Sequence, residues 1–242
     1  MATFVLVHGS FHGAWCWSKL IPELEALGHR AVALDLPAMG DDRTPIADIT
    51  LEMGVDRVAE IIGEQDEPVV LVGHSFGGAT ITATGEQVPE KIKLLVYLTS
   101  FIPLDGESIV DIMSLPSWPP ETGVSAFVRS ADGLSVSVAP EGVRARFYHD
   151  CSDDDVAYCM ERLRPQPFGV RDTTIHTSPE RFGRIPRAYI HCTDDRSFVP
   201  SVQRLMFERS PCREVVSLPT SHSPFISAPA ELATALSGLA EG

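Results

Sequence analysis

Residues 69–81 read VVLVGHSFGGATI. Four apolar residues run directly into Gly73-His74-Ser75-Phe76-Gly77-Gly78, after which a helical pattern resumes. A loop that needed only flexibility would not carry a hydroxyl at its tip. Gly73-x-Ser75-x-Gly77, placed between a strand and a helix, has the context of a nucleophile elbow, a sharp turn that exposes one serine. Crowding in such a turn demands small residues two positions to either side. The hydroxyl then stands above the carboxyl end of the sheet, where ligands bind in open α/β folds. The N-terminus of the following helix favours negative charge developing in front of it. The bland alternative is a glycine-rich turn with an incidental serine. A phosphate-loop reading fails, because neither G-K-[ST] nor G-x-G-x-x-G occurs.

Outward from this stretch, apolar β-rich runs recur at 3–8, 30–36, 68–74, 92–99, 187–192 and 213–218. Most are nearly continuous rather than alternating, as strands covered on both faces are. Helical patterns lie between them at about 16–27, 51–64, 76–88 and 200–209, with another at 229–240. This alternation predicts an α/β chain with about six parallel strands and helices on both faces.

The alternation is interrupted from about 103 to 185, where nine prolines fall from Pro103 to Pro186. Within it, FVRSADGLSVSV (127–138) alternates around Asp132-Gly133, a hairpin signal. Ser152 with Asp155 three residues later marks a helix start leading into 153–164. The segment is therefore expected to be a compact cap inserted in the core: core at 1–102 and 186–242, cap at 103–185.

The 242 residues carry a net charge of −14, with 44% hydrophobic and 21% charged residues. That balance suits a globular domain with a well-solvated surface and argues against nucleic acid or anionic membrane as partners. Five cysteines without a C-x-x-C pair suggest free, mostly buried thiols in a reducing compartment. The chain begins without the basic and apolar pattern of a signal peptide, and no apolar run approaches the roughly 20 residues of a membrane span. A cytoplasmic protein is expected.

A nucleophilic serine needs a base, and the chain order for this architecture is nucleophile, acid, histidine. LPTSHSPF, after the last strand, offers His222 in a loop at the carboxyl end of the sheet. AYIHCTDDRSFVP offers Asp194 and Asp195 after the preceding strand, one to orient His222 and the other to cap the helix at Pro200. Asp105, just past the fourth strand, is a weaker competitor. One oxyanion donor is the N–H of Phe76, directly after the nucleophile. The second is assigned to the N–H of Ser10 in HGSFHGAW (8–15), where Gly9 and Gly13 permit close approach.

These segments together resemble an α/β-hydrolase of the plant methylesterase and hydroxynitrile lyase group. The resemblance is densest in FVLVHGSFHGAWCW, LEALGHRAVALDLPAMG, VVLVGHSFGG and CTDD…P…Q, and extends through the hairpin to His222. It implies Ser75 as nucleophile, His222 as base, Asp195 rather than Asp194 as acid, and Ser10 and Phe76 as oxyanion donors. Lyases of the group carry threonine in place of Gly9 and lysine in place of Ser223; cyanide departure calls for such a cation. The branch resembled is the esterase one, which implies hydrolysis of small to medium hydrophobic carboxylic esters. An α-hydroxynitrile lyase and a slow-turnover ligand receptor are the alternatives.

Other signals have ordinary readings. Asp153-Asp154-Asp155 near His149 is a charged helix start rather than a metal site. His12 is expected to pack or hydrogen-bond beside the oxyanion loop, and His176 and His191 have no partner pattern. Trp118, Phe127, Phe147, Tyr148 and Phe168 are expected to form a small core of the cap, with some at the pocket. No cofactor motif occurs, so no cofactor or metal is expected. The expected partner is a small-molecule ester, and a homodimer is left open.

Overall fold

A computed structural model describes residues 1–118 and 126–242; residues 119–125 of the expected cap lie outside the described residues. In chain order the strands are β1 (Thr3–Val7), β2 (Arg30–Leu34), β3 (Val69–His74), β4 (Ile92–Leu98), β5 (Phe127–Arg129), β6 (Ser135–Val138), β7 (Gln166–Pro167), β8 (Arg187–Cys192) and β9 (Glu214–Leu218). Six of them form one sheet in the order β2-β1-β3-β4-β8-β9, every pair parallel. The α/β-hydrolase expectation of six parallel strands is met. All six residues of β3 are buried, whereas the edge strands β2 and β9 are largely accessible.

The helices are α1 (Leu20–Ala26), α2 (Leu51–Gly63), α3 (Gly77–Gln87), α4 (Ile109–Met113), α5 (Pro140–Phe147), α6 (Asp153–Met160), α7 (Pro200–Arg209), α8 (Pro224–Ser227) and α9 (Pro229–Glu241). They cover the two faces of the sheet through two separate apolar clusters. Phe4 and Leu6 of β1 meet Leu24 of α1 and Leu236 of α9 on one face. Val5 and Val7 meet Val58 of α2 and Ile81 of α3 on the other. Successive strand residues point to opposite faces, so a strand covered on both must be apolar throughout. Among the described residues no helix is long and apolar enough to cross a membrane.

The first helix departs from its expected span of 16–27. A single tight turn at Ala14–Trp17 precedes α1, which starts only at Leu20. Pro22 lacks an N–H and crowds the carbonyl four residues before it, so it is tolerated only in a first helical turn. Gly28, at φ 81°, lies just past the end of α1. The helix expected over 153–164 ends at Met160. Pro165 disfavours helical backbone at Arg164, whose N–H donates instead to the Phe11 carbonyl at 2.9 Å.

Between β4 and β8 the chain forms a second, small antiparallel sheet, β5-β6-β7, with the hairpin in the register Phe127↔Val138. The aromatic residues of this segment do not form a core of their own. Phe147 and Tyr148 belong to the same buried cluster as Phe4 and Trp17. Strands of two to four residues bury too little area to sustain an independent core, so the segment completes the core of the large sheet instead. All five cysteines are free, four of them buried and Cys212 partly so.

Candidate active site

The order in which the chain lays down its strands reverses between β1 and β3, which run side by side and parallel although the chain visits β2 between them. Loops leaving the two strands therefore open a crevice at their carboxyl ends. Ser75 stands in it. It is the one residue of 69–82 that is not buried. Its φ is 52°, a left-handed conformation that costs a non-glycine residue about 1–2 kcal/mol. The surroundings hold it there. Its carbonyl accepts from Gly78 N–H at 3.1 Å, Phe101 N–H at 3.3 Å and Ser100 Oγ at 2.6 Å. Its own N–H donates to Leu98 O at 3.1 Å.

The flanking glycines are required by close contact. A Cβ on Gly73 would lie 2.8 Å from Ile81 and 2.9 Å from the Gly77 carbonyl, and one on Gly77 would lie 2.7 Å from the His8 carbonyl. One on Gly9 would lie 2.8 Å from both the Ser75 Cβ and the His74 ring. The small residues in the elbow are thus set by α3 packing against Gly73 and by the end of β1 packing against Gly77.

His222 sits in the loop between β9 and α8, with its side chain 3% exposed. Its Nδ1 donates to Asp195 Oδ2 at 2.6 Å. That assigns the ring proton to Nδ1 and leaves Nε2 as a lone pair, since a carboxylate only accepts. Asp195 is 2% exposed and collects three further donors. Thr99 Oγ1 reaches Oδ2 at 2.5 Å, and the amides of Ser197 and Phe198 reach Oδ1 at 2.7 and 2.9 Å. Asp194 is exposed and offers His149 only its backbone carbonyl, at 2.9 Å. Asp105 is exposed too, 3.4 Å from His176 and bonded to the Thr177 amide. Of the three candidate acids, the fold brings only Asp195 to the histidine.

The loop after β1 is fixed by two buried histidines. Leu36 N–H donates to His8 Nε2 at 3.1 Å, so the His8 proton is on Nδ1 and donates to Gly9 O at 2.8 Å. His12 Nδ1 donates to Ser10 O at 2.7 Å and its Nε2 accepts from the Tyr148 hydroxyl at 2.6 Å. Burial holds His8 below the usual imidazole range and takes His12 down to about 3, so both rings are neutral. Burial also keeps His74 neutral, and its Nε2 donates to the His222 carbonyl at 2.9 Å. Among the described residues, neither the Ser10 nor the Phe76 N–H has an acceptor. Two free amide donors at the edge of the same cavity can receive negative charge on a bound oxygen.

Ser10, Ser75, Phe76 and His222 all border one cavity of about 400 Å³. Ser75 and His222 make no direct hydrogen bond here; such contacts commonly tighten only around substrate. Phe101, Trp118, Phe147, Phe168 and Phe198 supply much of the apolar wall. Thr99, the partner of Asp195, escaped sequence reasoning, although its place one residue past β4 puts it at the active end of the sheet. Phe11 (φ 69°) and Thr99 (φ 38°) share with Ser75 a positive φ in non-glycine residues, strain that gathers at working sites. His176 is exposed, and Asp153–Asp155 form the first turn of α6, where Ser152 caps the Asp155 amide.

Residues 4–235 match the Alpha/beta hydrolase family. Methylesterase 1 of Arabidopsis thaliana is 36% identical over 242 residues, spanning 95% of this chain and 92% of that protein. Methylesterase 2 of the same plant is 35% identical over 251 residues, spanning 98% of this chain and 95% of its own. The crystal structure of polyneuridine aldehyde esterase superposes with a TM-score of 0.89 at 29% identity, covering 99% of both chains.

Proposed function

Since this chain belongs to the alpha/beta hydrolase family, in the group that contains plant methylesterases, we propose that it hydrolyses small to medium hydrophobic carboxylic esters through an acyl-enzyme on Ser75. One observation carries the reading: Ser75, strained and exposed, shares a cavity with His222, whose Nδ1 is bound to buried Asp195.

In the proposed reaction Ser75 Oγ attacks the ester carbonyl while His222 Nε2 takes its proton. Asp195 keeps the histidine in the productive tautomer and stabilises the imidazolium. The N–H groups of Ser10 and Phe76 receive the oxyanion. His222 then protonates the departing alkoxide, leaving Ser75 acylated. Water, deprotonated by His222, attacks the acyl carbon and releases the carboxylic acid. None of these steps calls for a cofactor or metal.

We read residues 1–102 and 186–242 as the catalytic core and 103–185 as a cap that shapes the pocket. The ester reading is preferred to cyanohydrin cleavage because position 223, directly after His222, holds a buried serine and not a cation that could receive expelled cyanide. A cytoplasmic protein, free of nucleic-acid and membrane partners, fits the net charge of −14; a homodimer is compatible with it.

The test is pre-steady-state hydrolysis of 4-nitrophenyl acetate. A burst of nitrophenol should appear in the parent, and Ser75→Ala should lose turnover by about 10⁶-fold. Residual activity within about tenfold of the parent would defeat the assignment, as would efficient mandelonitrile cleavage without ester hydrolysis.

A further inference from the structure

The cavity beside Ser75 is bordered by four arginines, Arg129, Arg146, Arg171 and Arg196. In a chain of net charge −14, acids are plentiful, and Arg43, Arg57, Arg144, Arg162, Arg181 and Arg209 each form an ion pair with one, whereas Arg30, Arg164, Arg184, Arg187, Arg204 and Arg213, away from the cavity, form none among the described residues. None of the four cavity arginines has an ion pair among the described residues. Aromatic faces hold three of them instead. Arg129 and Arg171 both lie 4.1 Å from the centroid of the Phe168 ring, and Arg146 lies 4.5 Å from that of Phe127.

Stacking uses the face of a guanidinium and leaves its N–H edge free for a planar anion. Arg129 spends part of its edge on the Gly133 carbonyl, at 3.3 and 3.2 Å. Arg171 has its Nε buried with no acceptor, a donor left unmet in a partly buried cation. Burial lowers the pKa of that guanidinium; Asp172 opposes the shift and the Arg129 charge adds to it. Two cations on one ring repel each other, and an anion beside them would relieve the repulsion. Arg146 and Arg171 are half-buried, while Arg129 and Arg196 are exposed, so the cluster grades from the wall of the cavity outward.

Building on the esterase reading of the same site, we propose that the substrates are esters bearing a second, ionised carboxylate, such as half-esters of dicarboxylic acids. The carboxylate binds the free guanidinium edges of Arg146 and Arg171. Arg129 and Arg196 draw it in against the repulsion of the acidic surface. The apolar wall between the arginines and Ser75 takes the body of the molecule.

The probes are mono-4-nitrophenyl glutarate and its uncharged counterpart 4-nitrophenyl pentanoate. The parent should cleave the anionic ester with a kcat/KM about tenfold or more above the neutral one, the scale of one charge-assisted hydrogen bond. That ratio should shrink in about 0.5 M salt, which screens exposed charges, and approach unity in Arg146→Gln/Arg171→Gln. The salt series needs only the parent, so a double variant that fails to fold does not remove the test. A ratio at or below unity in the parent, or a preference that survives both the salt and the double substitution, would overturn the proposal. Failure of the esterase reading looks different: neither ester is cleaved in a Ser75-dependent way. In that case calorimetry with glutarate and glutaramide on the Ser75→Ala protein still decides. Tighter binding of the dianion supports the arginine site, and equal or weaker binding refutes it.

Discussion

Ser75 and Gly133 occupy the same left-handed region of backbone space, at φ 52° and 74°, and their turns are built in opposite ways. The turn at Gly133 joins two short strands of the small sheet. Ser130 and Asp132 close it through local hydrogen bonds, including Leu134 N–H to Asp132 Oδ1 at 3.0 Å. Glycine adopts that conformation without penalty, and no side chain is asked of the position. At Ser75 the penalty is kept, as the role proposed for its side chain requires. Three donors on one carbonyl, and glycines on either side packed against β1 and α3, make any other conformation costlier. A turn that only connects relieves its strain locally; a turn that presents a reacting group retains it and spreads the restraint over distant segments.

The sharpest probe of the turn's purpose is the acid behind the histidine. In Asp195→Asn an NH₂ group replaces one of the acceptors facing His222 Nδ1 or the Ser197 and Phe198 amides. The imidazole then loses its tautomer, and ester turnover should fall by about 10⁴-fold. Asp194→Asn, at an exposed carboxylate, should stay within about threefold of the parent. Steady-state kinetics on one ester checks both, and a reversed order would mean that the strained turn serves a different acid.

A matched glycine pair tests the contrast in restraint. Gly77→Ala drives a methyl to 2.7 Å from the His8 carbonyl, a backbone atom of the loop after β1 that cannot swing aside. It should cost about 3 kcal/mol. Gly133→Ala meets only the flexible Arg129 side chain, at 3.4 Å, and should cost about 1 kcal/mol for the conformation alone. Urea midpoints measure both; equal losses would erase the distinction between the turns.

The smallest effect concerns how the inserted segment is tied to the His222 loop. Asp150 Oδ2 accepts from Ser221 N–H at 2.8 Å. Burial by itself would raise its pKa, but hydrogen bonds from Ser221 and Ser227 bring it net below the ordinary value. A depressed folded pKa means that the contribution is fully present above the unfolded pKa of about 3.9 and is lost as pH falls through the lower folded value. Because the side chain is only partly covered and solvent screens the interaction, Asp150→Ala should lower stability by only about 0.5–1 kcal/mol near pH 6. The difference between parent and variant should vanish toward about pH 2. A gap that widens on acidification would contradict the assignment.

The large sheet was legible in the sequence because a strand covered on both faces has to be apolar at every position, and few other elements are. The residues around Ser75 were legible for a related reason: functional side chains in this architecture stand at the carboxyl ends of strands, and strand ends can be counted. Asp194 and Asp195 differ by one position, which amounts to the choice between solvent and the interior. That choice is made by a Thr99 hydroxyl and two amides that no local pattern announces. The inserted segment was read least well. Its helices α4 and α5 are too short for a period to emerge, and its aromatic residues pack into a core set by distant strands. The arginines at the cavity come from β5, from α5, from a short turn at Gly169–Asp172 and from the loop after β8, so only the assembled fold makes them neighbours.

The His8 contact reaches further than its length suggests. Gly9 O, to which His8 Nδ1 donates at 2.8 Å, belongs to the same peptide plane as the Ser10 N–H. Flipping that amide would strand a buried imidazole proton without an acceptor, a loss of about 1–3 kcal/mol. The proposed donor for the oxyanion is thus oriented when the chain folds and not when a substrate arrives. The reorganisation that water would have to perform around a forming negative charge is complete before the reaction begins.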